Sequence, residues 1–141
     1  MAQKKEGYLR EEFVQNSIVK WLNKNDWIIT SLATISQHGV DIRAKHRKYG
    51  RAYLIETKSS SSAEVDFVYS LGQIITRMNT SGKTRYYYAL GLNEKSASIA
   101  LRRIPYQIAK KLLLHIISVD ERGNVKRYLP KDIERFQTEN K

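Results

Sequence analysis

Three side chains near the middle of the 141-residue chain have the types and spacing to handle a phosphate: Asp41, Glu56 and Lys58. Only Thr57 separates Glu56 from Lys58. In a strand, residues two apart project from the same face, so this carboxylate and ammonium point together. Residues 40–44 and 52–57 read as two strands around residues 45–51, a polar stretch with the glycine of a hairpin loop. If those strands pair, Asp41 at the start of the first lies opposite the end of the second, and all three groups meet. Two carboxylates held close repel each other, and a hard divalent cation relieves that repulsion. Mg²⁺ commonly takes one or two carboxylates, waters and substrate phosphate oxygens. Lys58 beside it could orient an attacking water or stabilise a pentacovalent phosphate. A solvated cross-strand ion pair leaves the same Glu-X-Lys pattern. Two features favour the chemical reading. Residues 52–55 are almost wholly apolar, as in a buried central strand, so the charges emerge at a sheet end. Gly39 precedes the carboxylate strand, where backbone can approach a ligand closely.

The surrounding pattern supplies the elements that must position these groups. Phe13, Val14, Ile18, Trp21 and Leu22 recur at helical spacing, predicting a helix over 7–25. Residues 27–32 read as a strand, followed by a polar stretch over 34–39. Ser61 and Glu64 have capping-box spacing before a helix with an apolar stripe of Val68, Leu71, Ile75 and Met78, and Gly82 is placed to stop it. Strands are predicted over 85–92, 115–119 and 125–129, with a turn at 121–124. Helices are predicted from Pro105 through Leu113 and over 130–136. This order implies an α/β fold, a mixed sheet flanked by helices, in a single domain over 1–141.

Gly39-Val40-Asp41, then Ile55-Glu56-Thr57-Lys58, then a helix bearing Gln73 to Arg77 resemble the PD-(D/E)XK nuclease superfamily, which includes restriction endonucleases and Holliday-junction resolvases. The resemblance spans about residues 7 to 120 and implies a restriction-endonuclease-like fold. It also implies that Asp41 and Glu56 ligate Mg²⁺ (with Mn²⁺ able to substitute), that the Thr57 carbonyl completes the shell, and that Lys58 is the catalytic lysine. Val40 stands where the family usually has proline. Relatives often add a first-helix glutamate near the metal. Glu11 lies nearer the inward stripe of Val14 and Ile18 than Glu12 does and is preferred, with Gln15 the choice in a resolvase-like register. Both glutamates are also what a helix dipole favours in a first turn. Gln73 and Arg77, four apart on one helix face, are assigned to the active site and to phosphate respectively; a solvated polar face has the same spacing. Ser36 and His38 are lesser candidates, since a loop histidine there could reach a scissile phosphate.

Charge and composition narrow the partners. Lys and Arg number 25 against 14 Asp and Glu, a net charge of +11, which points to a polyanion. Lys45, Arg47, Lys48 and Arg51 crowd the hairpin loop, as phosphate contacts or as a solubilising tip. Tyr86 to Tyr88 could stack on bases, but alternate strand tyrosines more often pack core and edge. The absence of cysteine excludes disulfide scaffolds, zinc ribbons and thiol nucleophiles. No apolar run approaches a membrane span and residues 1–8 are too polar for a signal peptide, so a cytoplasmic location without membrane contact is expected. The reading is a Mg²⁺-dependent DNA endonuclease, structure-selective or a nuclease subunit of a larger complex, with a homodimer as the family analogy. Its rivals are a non-catalytic basic nucleic-acid-binding module on the same fold and a protein-interaction domain.

Overall fold

A computed structural model describes residues 4–5, 8–32, 41–78 and 85–139. The elements in chain order are β1 (Lys4–Lys5), β2 (Tyr8–Leu9), α1 (Glu11–Lys24), β3 (Trp27–Leu32), β4 (Ile42–His46), β5 (Arg51–Lys58) and α2 (Ala63–Thr76). There follow β6 (Arg85–Asn93), α3 (Glu94–Arg103), α4 (Tyr106–Leu112), β7 (Leu114–Val119), β8 (Val125–Tyr128) and α5 (Pro130–Glu139). β1 and β2 form a small antiparallel pair, and the other six strands form one sheet in sequential order, β3-β4-β5-β6-β7-β8. β5–β6 and β6–β7 are parallel, the remaining pairs antiparallel. The fold is the expected α/β one, a mixed six-stranded sheet flanked by helices. Parallel neighbours need crossovers, which α2 supplies between β5 and β6, and α3 with α4 between β6 and β7.

Each face of the sheet has its own core. On one, α1 lays Val14, Ile18 and Leu22 on Ile42, Tyr53, Ile55 and Ala89. On the other, Phe67 and Ile74 of α2 join Ala97, Ala100 and Leu101 of α3 and Ile133 of α5 over Leu54, Leu90 and Ile116. β5 is buried from Tyr53 through Thr57, so its charged residues do emerge where the strand ends. Gly91 of β6 lets α1 approach closely: a Cβ there would fall 2.5 Å from Ile18 Cδ1 and 3.1 Å from Thr57 Cγ2.

Several sequence expectations need correction. The first helix begins at Glu11 rather than at residue 7, because Tyr8 and Leu9 pair with Lys5 and Lys4. Ser62, not Ser61, caps α2, its side chain accepting from the Val65 amide. The buried face of α2 is Asp66, Phe67, Ser70 and Ile74, one residue out of step with the expected stripe. Val68 and Ile75 are instead 55% and 47% exposed, while Leu71 and Met78 are partly buried. Hydropathy misplaces the stripe because two of the inward residues are polar. Helix α3 is an addition to the expected elements, although Asn93 accepts from the Ser96 amide as its cap and Ala97, Ala100, Leu101 and Ile104 repeat at helical spacing. Ser36, His38, Gly39, Val40 and Gly82 lie outside the described residues.

The serine tract after β5 is structural. Ser59 donates to the Leu9 carbonyl and accepts from Asn93 Nδ2 at 2.8 Å. The fully buried Asp66 accepts from the Ser60 amide at 2.9 Å, from Ser60 Oγ at 2.6 Å and from Ser96 Oγ at 3.0 Å. These bonds fix the chain directly beyond Lys58. Asp66→Asn replaces one acceptor oxygen with a donor facing those hydroxyls and should cost about 1–3 kcal/mol in denaturant unfolding. A variant as stable as the parent would remove Asp66 from the set of groups holding this end of β5.

Candidate active site

The β4–β5 hairpin brings the sequence-predicted residues together. Its register pairs Ile42 with Ile55, so Asp41 falls opposite the end of β5. Asp41 Oδ2 accepts from the Thr57 amide at 2.7 Å and from Thr57 Oγ1 at 3.0 Å. Thr57 therefore fixes the orientation of the Asp41 carboxylate. Glu56 is buried, at 4% exposure, and accepts from the guanidinium of Arg77, the residue that caps the C-terminus of α2. Lys58 lies at the rim, its Nζ 3.6 Å from Glu11 Oε1 of α1 and 4.7 Å from the Tyr69 ring centre of α2. Glu56 and Lys58 thus both meet side chains of α2 or its C-cap, in keeping with their two-residue spacing.

The first-helix candidates separate. Glu11 faces the site through Lys58, whereas Glu12 is exposed. Gln15, one turn after Glu11, reaches the Asp41 carbonyl with Nε2 at 3.4 Å. Glu11 and Gln15 therefore sit on the site together. At the C-terminal end of α2, the capping residue Arg77 reaches a carboxylate, while Gln73 stands half-buried one turn earlier, where its backbone carbonyl accepts from Thr76 Oγ1. Nothing in the residue pattern singles out Tyr69, which lies off the expected stripe.

The carboxylates share one electrostatic field. Burial pushes the Glu56 carboxyl up to about 7, against the pull of the Arg77 hydrogen bond, and the charges of Asp41 and Glu11 add to the rise. Glu11 is raised as well, mainly by burial, with Lys58 opposing and Asp41 adding. Such mutual destabilisation is what a cation between carboxylates would relieve. The donors are oxygen only, which suits a hard divalent ion. Among the described residues no three His, Cys, Asp or Glu side chains gather into a metal cage, so protein ligation here would rest on Asp41, Glu56 and the Thr57 carbonyl.

The basic hairpin loop is elsewhere. Lys45, Arg47, Lys48 and Arg51 are exposed at the closed end of the hairpin, whereas the carboxylates lie at its open end. Along β5, Arg51 and Lys58 are about 23 Å apart at the usual strand rise. The loop therefore does not reach the carboxylate end of the hairpin. Tyr86 stacks on the buried Tyr88 on one face of β6, and Tyr87 packs near Tyr53 and His115 on the other. That is the core-and-edge packing expected of alternate tyrosines.

No protein-family model matches the chain, and no curated protein matches it. Among solved structures, an XisH family protein from Nostoc punctiforme is similar, with a TM-score of 0.52, 22% identity, and coverage of 81% of this chain and 96% of that one. At that identity the likeness bears on the fold, a mixed α/β sheet flanked by helices. Among the described residues no helix is long and apolar enough to cross a membrane.

Proposed function

We propose that the chain is a Mg²⁺-dependent DNA endonuclease of the PD-(D/E)XK type. The observation that carries this reading is the convergence of Asp41, Glu56 and Lys58 at the end of β5, with Glu11 of α1 against Lys58. Asp41, Glu56 and the Thr57 carbonyl would hold the metal, with Mn²⁺ able to replace Mg²⁺. Bound there, the ion would supply Lewis-acid charge for the scissile phosphate and lower the pKa of a water. Thr57 orients Asp41, and Arg77 neutralises Glu56 while no metal competes for it. Glu11 holds Lys58 at the rim, where its ammonium can stabilise negative charge developing on phosphorus oxygens. Gln73 is assigned to the same site on its place one turn before Arg77.

Cleavage assays on linear, supercoiled, flapped, four-way and single-stranded DNA, with and without Mg²⁺, test this reading. Metal-dependent cutting of any of them is expected. Preference for the branched substrates would make the enzyme structure-selective. The Arg77–Glu56 and Lys58–Glu11 pairs give a non-catalytic DNA-binding module its specific support, because they neutralise two carboxylates without a metal. Tight binding with no cleavage of any substrate would favour that module.

With a net charge of +11, DNA affinity should fall steeply with salt, about 0.9 log units per log unit of salt for each phosphate neutralised on a duplex. Replacing Lys45, Arg47, Lys48 and Arg51 by alanine should flatten that slope and leave the fold intact, since all four are exposed. An unchanged slope removes the loop from the DNA surface.

A further inference from the structure

At the end of the sheet away from the carboxylates, a cavity of about 530 Å³ opens under the β4–β5 turn, within the range of about 300–1,000 Å³ typical of small-molecule sites. Its walls are aromatic and cationic. Trp21 of α1, Trp27 of β3, Tyr49 of the turn and Tyr87 of β6 supply rings, while Arg51, Arg127 and Lys131 supply charge. Among the described residues no aspartate or glutamate lines it. Arg51 lies over the Tyr87 ring at 5.3 Å and Arg127 over the Trp21 ring at 5.6 Å. Stacking engages the face of a guanidinium and leaves its in-plane N–H donors to bind oxygen.

The turn is built to present a ring. His46 Nδ1 accepts from the amides of Lys48 and Tyr49 at 3.1 and 3.2 Å, closing the loop over it. The Tyr49 ring lies 4.8 Å from the His46 ring at 30°, yet Tyr49 remains 61% exposed. A large ring held in place with most of its surface in water is a platform for another flat group. Below it, the buried Tyr53 hydroxyl shares a hydrogen bond with His115 Nδ1 at 2.5 Å and accepts another from the Arg127 guanidinium. Burial, with the nearby charge of Arg127, holds His115 down at about 3, so this floor is neutral. The positive charge of the cavity therefore comes from its Arg and Lys residues.

Flat rings and guanidiniums without an acid select a flat ligand that carries an anion. Inorganic phosphate would leave the rings unused, and a purely apolar ligand would leave unused the positive charge of Arg51, Lys131 and Arg127, the last of which already donates to the Tyr53 hydroxyl. We propose that this cavity binds a nucleotide unit, its base stacked on Tyr49 and the tryptophan walls and its phosphate held by Arg51 and Arg127. The unit is either a free nucleotide or one residue of a single strand; the chemistry is shared. The proposal is independent of the nuclease reading, because the cavity shares no residue with Asp41, Glu56 or Lys58.

The two tryptophans of the chain both line the cavity, so intrinsic fluorescence reports directly on it. Titrations are made in EDTA with adenosine 5′-monophosphate, thymidine 5′-monophosphate, ribose 5-phosphate, inorganic phosphate and a ten-residue oligothymidylate. Saturable quenching by a mononucleotide assigns a small-molecule site, and quenching by the oligonucleotide alone assigns a strand-binding site; either supports the proposal. Tyr49→Ala should weaken binding about tenfold or more, as expected for a lost stacking partner. Arg127→Gln should do the same, with circular dichroism confirming the fold of each. Asp41→Asn should bind as the parent does, which separates this site from any failure of the nuclease reading. No saturable response to either nucleotide class overturns the proposal. So does an equal response to ribose 5-phosphate or phosphate, or undiminished binding by folded Tyr49→Ala.

Discussion

Asp41→Asn, Glu56→Gln and Lys58→Met should each abolish Mg²⁺-dependent DNA cleavage while leaving DNA binding in place. The amide introduced by Asp41→Asn would keep one oxygen for the Thr57 amide and hydroxyl that now converge on Asp41 Oδ2, so the open end of the hairpin should stay closed. The charge needed to hold the cation would be gone. Glu56→Gln removes the second anionic donor at nearly constant volume and still offers Arg77 an acceptor. Lys58→Met keeps much of the stem and removes the ammonium that meets Glu11 and lies over the Tyr69 ring. Its loss should cost about 2.7–4 kcal/mol of transition-state stabilisation, roughly 10²–10³ in rate, by analogy with deleted oxyanion donors. Ca²⁺ accepts more ligands and looser geometry than Mg²⁺, so it should support binding without cutting. The measurement is cleavage in Mg²⁺ or Mn²⁺ beside binding in Ca²⁺ for the parent and each variant. Full activity in Asp41→Asn or Glu56→Gln would end the metal-site assignment. Loss of binding along with cleavage would point instead to a damaged fold.

The site is legible in the sequence where chemistry and local geometry coincide. Two-residue spacing puts Glu56 and Lys58 on one face, and a polar glycine-containing loop between apolar runs implies the hairpin that carries Asp41 to them. The same argument forces residues 45–51 to the far end, although the charge of the loop suggests phosphate contact. Pairings that depend on how helices settle on the sheet are less accessible. Glu11 is singled out with the help of a family resemblance, and its contact with Lys58 depends on α1 approaching the sheet over Gly91. Arg77 reads as a phosphate ligand, yet it meets Glu56 because the inward face of α2 runs through Asp66 and Ser70, which hydropathy reads as outward. The cavity at the other end gathers residues from Trp21 to Lys131, drawn from all six strands of the main sheet and two helices. No local period encodes that gathering.

A stability measurement probes the same carboxylates without any catalytic readout. Glu56→Gln should make the metal-free protein more stable at pH 8 and leave it nearly unchanged near pH 4.5. The Glu56 carboxyl is raised in the folded chain from 4.5 to about 7, chiefly by burial, with Asp41 and Glu11 adding and Arg77 opposing. Between those values the folded state binds the proton more tightly than the unfolded state. The contribution of Glu56 is therefore fully present below pH 4.5 and is lost as pH rises through about 7. At about 1.4 kcal/mol per pKa unit the loss is at most about 3.5 kcal/mol. Glutamine carries no charge to bury, so its variant should escape the loss, and denaturant unfolding across pH 4–8 reads the difference directly. Mg²⁺ should close most of that gap at pH 8. A cation that binds only the folded, ionised site stabilises the parent by about 2.7 kcal/mol at a hundred times its Kd, and the Gln variant should gain far less. A pH-independent difference between the two proteins would show that Glu56 is not strained by burial. Equal Mg²⁺ stabilisation of both would place any bound cation away from Glu56. An ionised carboxylate that is costly in the empty site and relieved by a divalent ion ties the instability of the metal-free protein to its proposed chemistry.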